Sequence, residues 1–262
     1  MNGLARTAAT VAPLPLSPYA RVWGVWGRDT RKFALVDPDR RFLYAAAPKA
    51  ANSTIRRLLW SHLGVEVASP DIQRVLHASS GPYLTLPDLA VDERSAVLTS
   101  PAVFRFTFVR NPYARLRSAY RQKLRNPTAR ESIFPYLQNL GWRDDQLPTF
   151  AQFVRLVVKQ SDARMNIHWR PQHVCLVSGS VTYQFIGKVE QFDADIAWVL
   201  ERIGAASSLY RPSLSVNRLA PEAENDVAYT EALAELVFDR FRKDFELFGY
   251  AQDSFRGVAA AP

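Results

Sequence analysis

The sequence predicts an α/β fold in which helices pack around a central parallel sheet. Three observations carry this expectation. Apolar, strand-like runs at about 32–47, 103–109 and 183–190 are each followed by a turn and a helix-periodic segment, the alternation that builds parallel sheets. The chain has 262 residues, 48% of them hydrophobic and 12% aromatic, enough to bury a substantial core, so one domain spanning 1–262 is expected. No internal repeat or low-complexity tract breaks the alternation.

Residues 1–20 are rich in Ala and Pro and read as an irregular lead-in. In "KFALVDPDRRFLYAAAP" two apolar runs flank Asp37-Pro38-Asp39, a turn signal, so the segment predicts a hairpin whose second strand ends near Ala47. Residues 52–63 follow as a helix with Ile55, Leu58, Leu59 and Leu63 on one side. The stretch 70–100 is mixed. "VFRFTFV" (103–109) reads as a buried strand, and Pro112 sits where the first turn of a helix tolerates it, with residues 113–125 continuing as a basic helix. Asn126 to Pro148 reads as a long connection. Thr149 is an N-cap candidate for a helix through Lys159. "YQFIGKVE" (183–190) is strand-like, and the helix after it runs to about Ile203, where Gly204 can end it. Leu233, Val237, Phe241, Phe245 and Phe248 form a helical stripe read as core packing, and residues 251–262 read as a C-terminal tail.

Net charge is +8, and of 33 basic residues only 6 are Lys. Such a balance favours an anionic partner such as a nucleotide, nucleic acid, acidic glycan or membrane surface, although biased genome composition produces the same excess. Cys175 is the only cysteine, which excludes an intrachain disulfide and a cysteine-based zinc site. The N-terminal residues show no apolar h-region and no run of about 18 apolar residues, so the expectation is a cytoplasmic protein without a membrane span.

Two segments carry chemistry. "AAAPKAANSTIRRLLW" (45–60) has the outline of a phosphate-binding turn but contains no glycine, whereas a Walker loop requires G-x-x-x-x-G-K-[ST]. Lys49 supplies a mobile cation, Ser53 and Thr54 supply hydroxyls, and the helix start supplies free N–H groups. In "FTFVRNPYARLRSAYRQKL" (106–124), Arg110 falls at the end of a strand, where it can project into a crevice at the carboxyl edge of the sheet. Ser118 lies eight residues on, with Arg115 one turn before it. Arg110 and Ser118 can clamp a phosphate between a strand tip and a helix flank. Read blandly, the first segment is a chance Pro-Lys before a helix, and the second is a solvated basic helix behind a core strand.

The pair resembles the two nucleotide signatures of sulfotransferases that use 3′-phosphoadenosine 5′-phosphosulfate (PAPS). More narrowly, the chain is similar to the Golgi carbohydrate sulfotransferase family that includes chondroitin 4-O- and HNK-1 enzymes, of which it would be a soluble, bacterial-like member. The family's first motif commonly reads P-K-V-A-C-T-N-W-K-R. "PKAANSTIRR" matches it at Pro48, Lys49, Ala51 and Arg57, with Ser53 for the family threonine and Arg56 for its lysine. Asn52 replaces the family cysteine and Ile55 its tryptophan. The second motif, F-V-R-x-P-F-x-R-L-x-S-A-Y-R, is matched nearly throughout. Similarity continues through "IHWRPQHVCLVSGSVTYQFIGKVEQFDADIAWVL" and "LVFDRFRKDFELFGY", so it runs from about residue 40 to 250.

The resemblance implies a P-loop kinase-like, three-layer fold and sulfuryl transfer from PAPS to an acceptor hydroxyl on a glycan or small molecule. Adenosine 3′,5′-bisphosphate would be released, and no metal is implied. Pro48, Lys49, Ala50, Ala51, Asn52, Ser53 and Thr54 would hold the 5′-phosphosulfate, and Arg110 and Ser118 the 3′-phosphate. Because the loop grips one phosphosulfate, small residues other than glycine would suffice. Charge grows on the leaving phosphate, and Lys49 is assigned to meet it. His77 and His168 are the candidates for the general base, with His173 or a carboxylate as further alternatives; His62 reads as structural. Basic residues outside the nucleotide site, including Arg121, Arg125, Arg130, Arg170 and Arg211, can meet an acidic glycan or simply face solvent. A small-molecule kinase shares the fold, but no Gly-Lys-[ST] loop is present. A nucleic-acid-binding module would use the Arg excess but leaves the order of the four segments unexplained.

Overall fold

In a computed structural model the described residues are 33–66, 75, 79–125, 133–138, 141–143, 146–211 and 228–258. His77, Arg130 and the lead-in 1–20 therefore lie outside them. A four-stranded sheet runs β1 (Ala34–Val36), β2 (Phe42–Ala46), β3 (Phe104–Val109), β4 (Phe185–Lys188), in that spatial order. The β1–β2 pair is the expected hairpin and is antiparallel, while β2, β3 and β4 pair in parallel. An antiparallel strand beside a parallel set is common in such sheets. Beyond β1, Val36 and Leu84 exchange main-chain hydrogen bonds of 2.8 and 2.9 Å.

Alternation along the strands feeds two apolar faces. Leu35, Phe42, Tyr44, Ala46, Phe104, Phe106 and Phe108 pack against α1 (Asn52–His62) and Ile196, Val199 and Leu200. Ala34, Val36, Leu43, Ala45 and Val109 meet Val97 and Leu98 of α2 (Val91–Thr99), together with Leu176 and Val181. The sheet is thus a middle layer between helices, as expected. A third cluster joins α3 (Pro112–Tyr120), α5 (Phe150–Val158) and α8 (Glu231–Phe248) around the fully buried Trp169. Thr149 caps α5 through a reciprocal pair with Gln152, at 3.3 and 2.8 Å. The stripe Leu233, Val237, Phe241, Phe245 and Phe248 is buried throughout.

Three expectations on local structure are corrected. The basic helix after Pro112 does not stay α-helical to residue 125, because Arg121–Arg125 widens into a π-turn. The connection 126–148 contains a helical segment, α4 (133–138), whose Ile133 and Leu137 enter the core; two apolar residues one turn apart were its only signal. Residues after Gly249 do not simply trail off. Beyond α6 (Gln172–Cys175) and α7 (Phe192–Arg202), the chain ends its described part with α9 (Phe255–Val258), and the Phe255 ring packs edge-on against Tyr113 at 5.7 Å.

Candidate active site at the carboxyl edge of the sheet

Parallel pairing puts the two motif segments side by side. Ala46, the last residue of β2, pairs with Phe108 of β3, and Val109 pairs with Lys188 of β4. The loop 47–51 and Arg110 therefore leave the same edge of the sheet at neighbouring positions, where open α/β sheets form their ligand crevices.

The first loop has glycine-like backbone without glycine. Lys49 and Ala51 have φ of 73° and 55°, left-handed conformations that cost roughly 1–2 kcal/mol per residue when a Cβ is present. One of the two strained positions is a small residue, Ala51, and the other is the lysine itself. Ala51 is the N-cap of α1, and its methyl group has no polar atom with which to cap that end. The first N–H groups of a helix then carry positive partial charge outward. Ser53 and Thr54 are buried in this first turn. Asn52, standing for the family cysteine, accepts a 3.2 Å hydrogen bond from the buried Tyr44 hydroxyl. Arg56 is fully buried and donates to the carbonyl of Ser79 at 3.0 Å, a tie rather than a ligand arm.

Lys49 donates from Nζ to Gln122 Oε1 at 2.5 Å. Burial holds its amine well below the ordinary lysine range, and Arg110, Lys123 and Arg115 push the same way. The charges acting on Lys49 among the described residues are positive. Arg110 is thus close enough for its charge to act on Lys49. Lys123 is also lowered, by burial.

Arg110 is half-buried, and burial lowers it too, with Glu190 acting against that and Arg117 and Arg115 adding to it. The next residue, Asn111, caps α3 by accepting from Tyr113 N at 2.9 Å, with Pro112 at the first helical position. Asn-Pro before an apolar-periodic stretch was a legible start signal. Ser118 is buried on α3, with Arg115 one turn before it and Gln122 one turn after. Arg115 reaches the first loop and Gln122 reaches Lys49, so Ser118 sits between two residues that face the same loop.

Histidines separate by place. His62 ends α1, and its ring is lowered by burial, then by Arg41. Arg41 and Asp37 lie where β2 begins, so His62 belongs to the opposite edge of the sheet. His173 Nδ1 lies 2.6 Å from Asp244 Oδ1. His168 is half-buried in a turn whose carbonyls, Ile167 O and Arg170 O, accept from Arg115 at 3.3 and 2.8 Å. Motif reading had not assigned Gln122, Lys123, Gln172, Glu190 or Asp244. Glu190 accepts from Asn111 N at 2.8 Å and from the Tyr250 hydroxyl at 2.9 Å. An acidic residue just past a strand end was its sequence signal; Gln122 had none, because its contact with Lys49 spans 73 positions. Among the described residues no cluster of three His, Cys, Asp or Glu is arranged to hold a metal, and no helix is long and apolar enough to cross a membrane.

Fold and site together define an α/β protein that gathers cations from separate chain segments around an uncapped helix start, an anion-binding class of site. The sulfotransferase family model matches residues 33–251, and the chain belongs to that family. It is 32% identical over 232 residues to carbohydrate sulfotransferase 14 of Danio rerio, covering 82% of this chain and 61% of that protein. Against carbohydrate sulfotransferase 14 of Homo sapiens it is 32% identical over 246 residues, covering 85% and 61%. Against human carbohydrate sulfotransferase 8 the identity is 27% over 239 residues, covering 83% and 55%. The chain thus spans 61% or less of the length of these relatives. No solved structure matches it.

Proposed function

We propose that the protein is a PAPS-dependent sulfotransferase acting within one catalytic domain, with a carbohydrate or other hydroxyl compound as acceptor. The observation that carries the reading is the convergence at one sheet edge of Lys49, Arg110, Arg115 and Lys123, whose repulsion of the Lys49 charge adds to the cost of its burial with no carboxylate among the described residues offsetting it there. Such a cluster is stable with an anion in place. The residues fit the donor: an uncapped helix start, two left-handed residues and the Ser53 and Thr54 hydroxyls suit a phosphosulfate, while Arg110 and Ser118, on a strand tip and a helix flank, suit a second phosphate. The names of the relatives point to a sugar as acceptor.

When bound, the donor supplies a sulfuryl group that moves in line to the acceptor oxygen. Pro48, Ala50, Ala51 and Asn52 shape the loop around the 5′ end. With the donor bound, Lys49 would turn from Gln122 to the leaving phosphate, where negative charge would grow, so its amine would act more strongly in the transition state than before it. His77 and His168 are the candidates that take the acceptor proton. A cytoplasmic setting agrees with a chain whose single cysteine, Cys175, is a buried thiol.

Two measurements test the reading. Adenosine 3′,5′-bisphosphate should raise the melting temperature where ATP with magnesium does not; the reverse preference would mark a kinase. Incubation with ³⁵S-labelled PAPS and a panel of oligosaccharides should label an acceptor. Tight, salt-steep oligonucleotide binding without nucleotide selectivity would point to a nucleic-acid module instead.

A further inference from the structure

Gln172 is fully buried at the first position of α6. Its side-chain amide matches the main chain of Arg110 group for group. Arg110 N donates to Gln172 Oε1 at 2.9 Å, and Gln172 Nε2 donates to Arg110 O at 2.8 Å. A carboxamide used this way stands in for a strand partner, extending β3 one residue past its last ladder pair, Val109 with Lys188.

Gln172 is itself held. Asp244, fully buried on α8, accepts from Gln172 N at 2.6 Å through Oδ2 and from His173 N at 2.9 Å through Oδ1. A carboxylate is thereby seated at the amino end of α6, where the free N–H groups favour negative charge. On the other flank Glu190 accepts from Asn111 N. Two successive peptides at the tip of β3 are thus oriented by side chains from α6 and from the segment after β4.

We propose that Gln172, fixed by Asp244, is a positioning residue that sets the direction in which Arg110 leaves the sheet, and through it the preference for a nucleotide carrying a 3′-phosphate. The inference rests on the reading of Arg110 given above. A guanidinium at the end of a long side chain magnifies any rotation of its own peptide, and a bidentate grip on phosphate tolerates little displacement. A purely structural Gln172 would lower stability when replaced, without altering which nucleotide is preferred.

Titration calorimetry with adenosine 3′,5′-bisphosphate and with AMP separates these roles. In Gln172→Met the affinity for the bisphosphate should fall about tenfold or more while that for AMP holds, the loss expected when a bidentate contact is misplaced. Asp244→Asn should move the same ratio in the same direction. In an Arg110→Ala background Gln172→Met should add nothing further. Should Gln172→Met fail to fold, Gln172→Glu, which keeps the acceptor and loses the donor at neutral pH, is read by the same ratio. Equal losses for both nucleotides, or an unchanged ratio in a folded variant, would overturn the positioning role while leaving Arg110 in place. If Arg110→Ala itself keeps the wild-type ratio, the reading of Arg110 falls and the inference falls with it.

Discussion

Arg115 Nε donates to the carbonyl of Pro48 across 2.8 Å, joining two motif segments 67 residues apart. The same guanidinium reaches Arg170 O and Ile167 O, so one buried side chain binds the first loop, the second motif and the turn carrying His168. Burial lowers it, with Cys175 and Asp244 acting the other way, and arginine stays charged under such a load. Arg115→Met should destabilise the fold by about 2–4 kcal/mol, because the roughly 1.5–3 kcal/mol of each hydrogen bond made by the buried charge is partly offset by removal of that charge's desolvation cost. Arg115→Lys keeps the charge without the fork and should recover only part of this. Urea unfolding measures both; a Lys variant equal to wild type would show that charge alone matters.

Lys49 predicts a conflict between stability and function. Its folded value lies below the ordinary 10.5, so between those two values the unfolded chain holds a proton that the folded chain releases. Stability therefore climbs as pH rises through that window, and below it the full burial cost remains. Lys49→Met should melt higher than wild type at neutral pH, with the gain narrowing as pH approaches 10.5. The same variant should lose stabilisation by adenosine 3′,5′-bisphosphate. Affinity of the wild type should fall as pH rises through the window, because the amine gives up the charge that the anion requires. Thermal melts across pH check this; a wild-type-to-variant gap that stays constant would refute it.

How much of this was legible depends on whether the signal was local. The hairpin around Asp37-Pro38-Asp39, the Thr149 cap and the stripe ending at Phe248 follow from turn chemistry and period, and all three are seen. Parallel pairing of β2 with β3 also follows from the strand–turn–helix order, and it alone brings Lys49 and Arg110 to one edge. What was illegible is long-range or conformational. Gln122 reaches Lys49 across 73 positions, and Gln172 reaches Arg110 across 62. Left-handed φ at Lys49 and Ala51 is imposed against local preference, as strained functional loops are.

Gly187 tests the packing beneath the site. It faces Phe108 in the β3–β4 register, and a Cβ there would lie 2.5 Å from the Phe108 ring. Its φ is not in the left-handed region, so Gly→Ala would by itself stabilise by about 0.4–1 kcal/mol through the unfolded chain. Overpacking of about 1–3 kcal/mol should outweigh that. Gly187→Ala is therefore expected to be destabilised in urea. A neutral or stabilised variant would mean that Phe108 moves aside freely.

In the proposed reaction the proton of the acceptor hydroxyl leaves as the new S–O bond forms, and among the described histidines geometry narrows where it can go. His62 belongs to the far edge of the sheet, and His173 is engaged by Asp244. His168 sits in the turn that Arg115 binds, the same residue that binds the Pro48 carbonyl, which ties it to the first motif loop. His168→Ala should lower kcat by about 10²–10⁴, the usual contribution of a general base, with the affinity for adenosine 3′,5′-bisphosphate unchanged. It should also erase the acidic limb of the kcat/KM profile, because that limb reports protonation of the base in the free enzyme. His77→Ala is the matched comparison. Should His168→Ala keep its turnover and its acidic limb while His77→Ala loses both, the proton passes to His77 and His168 is left a structural part of the turn.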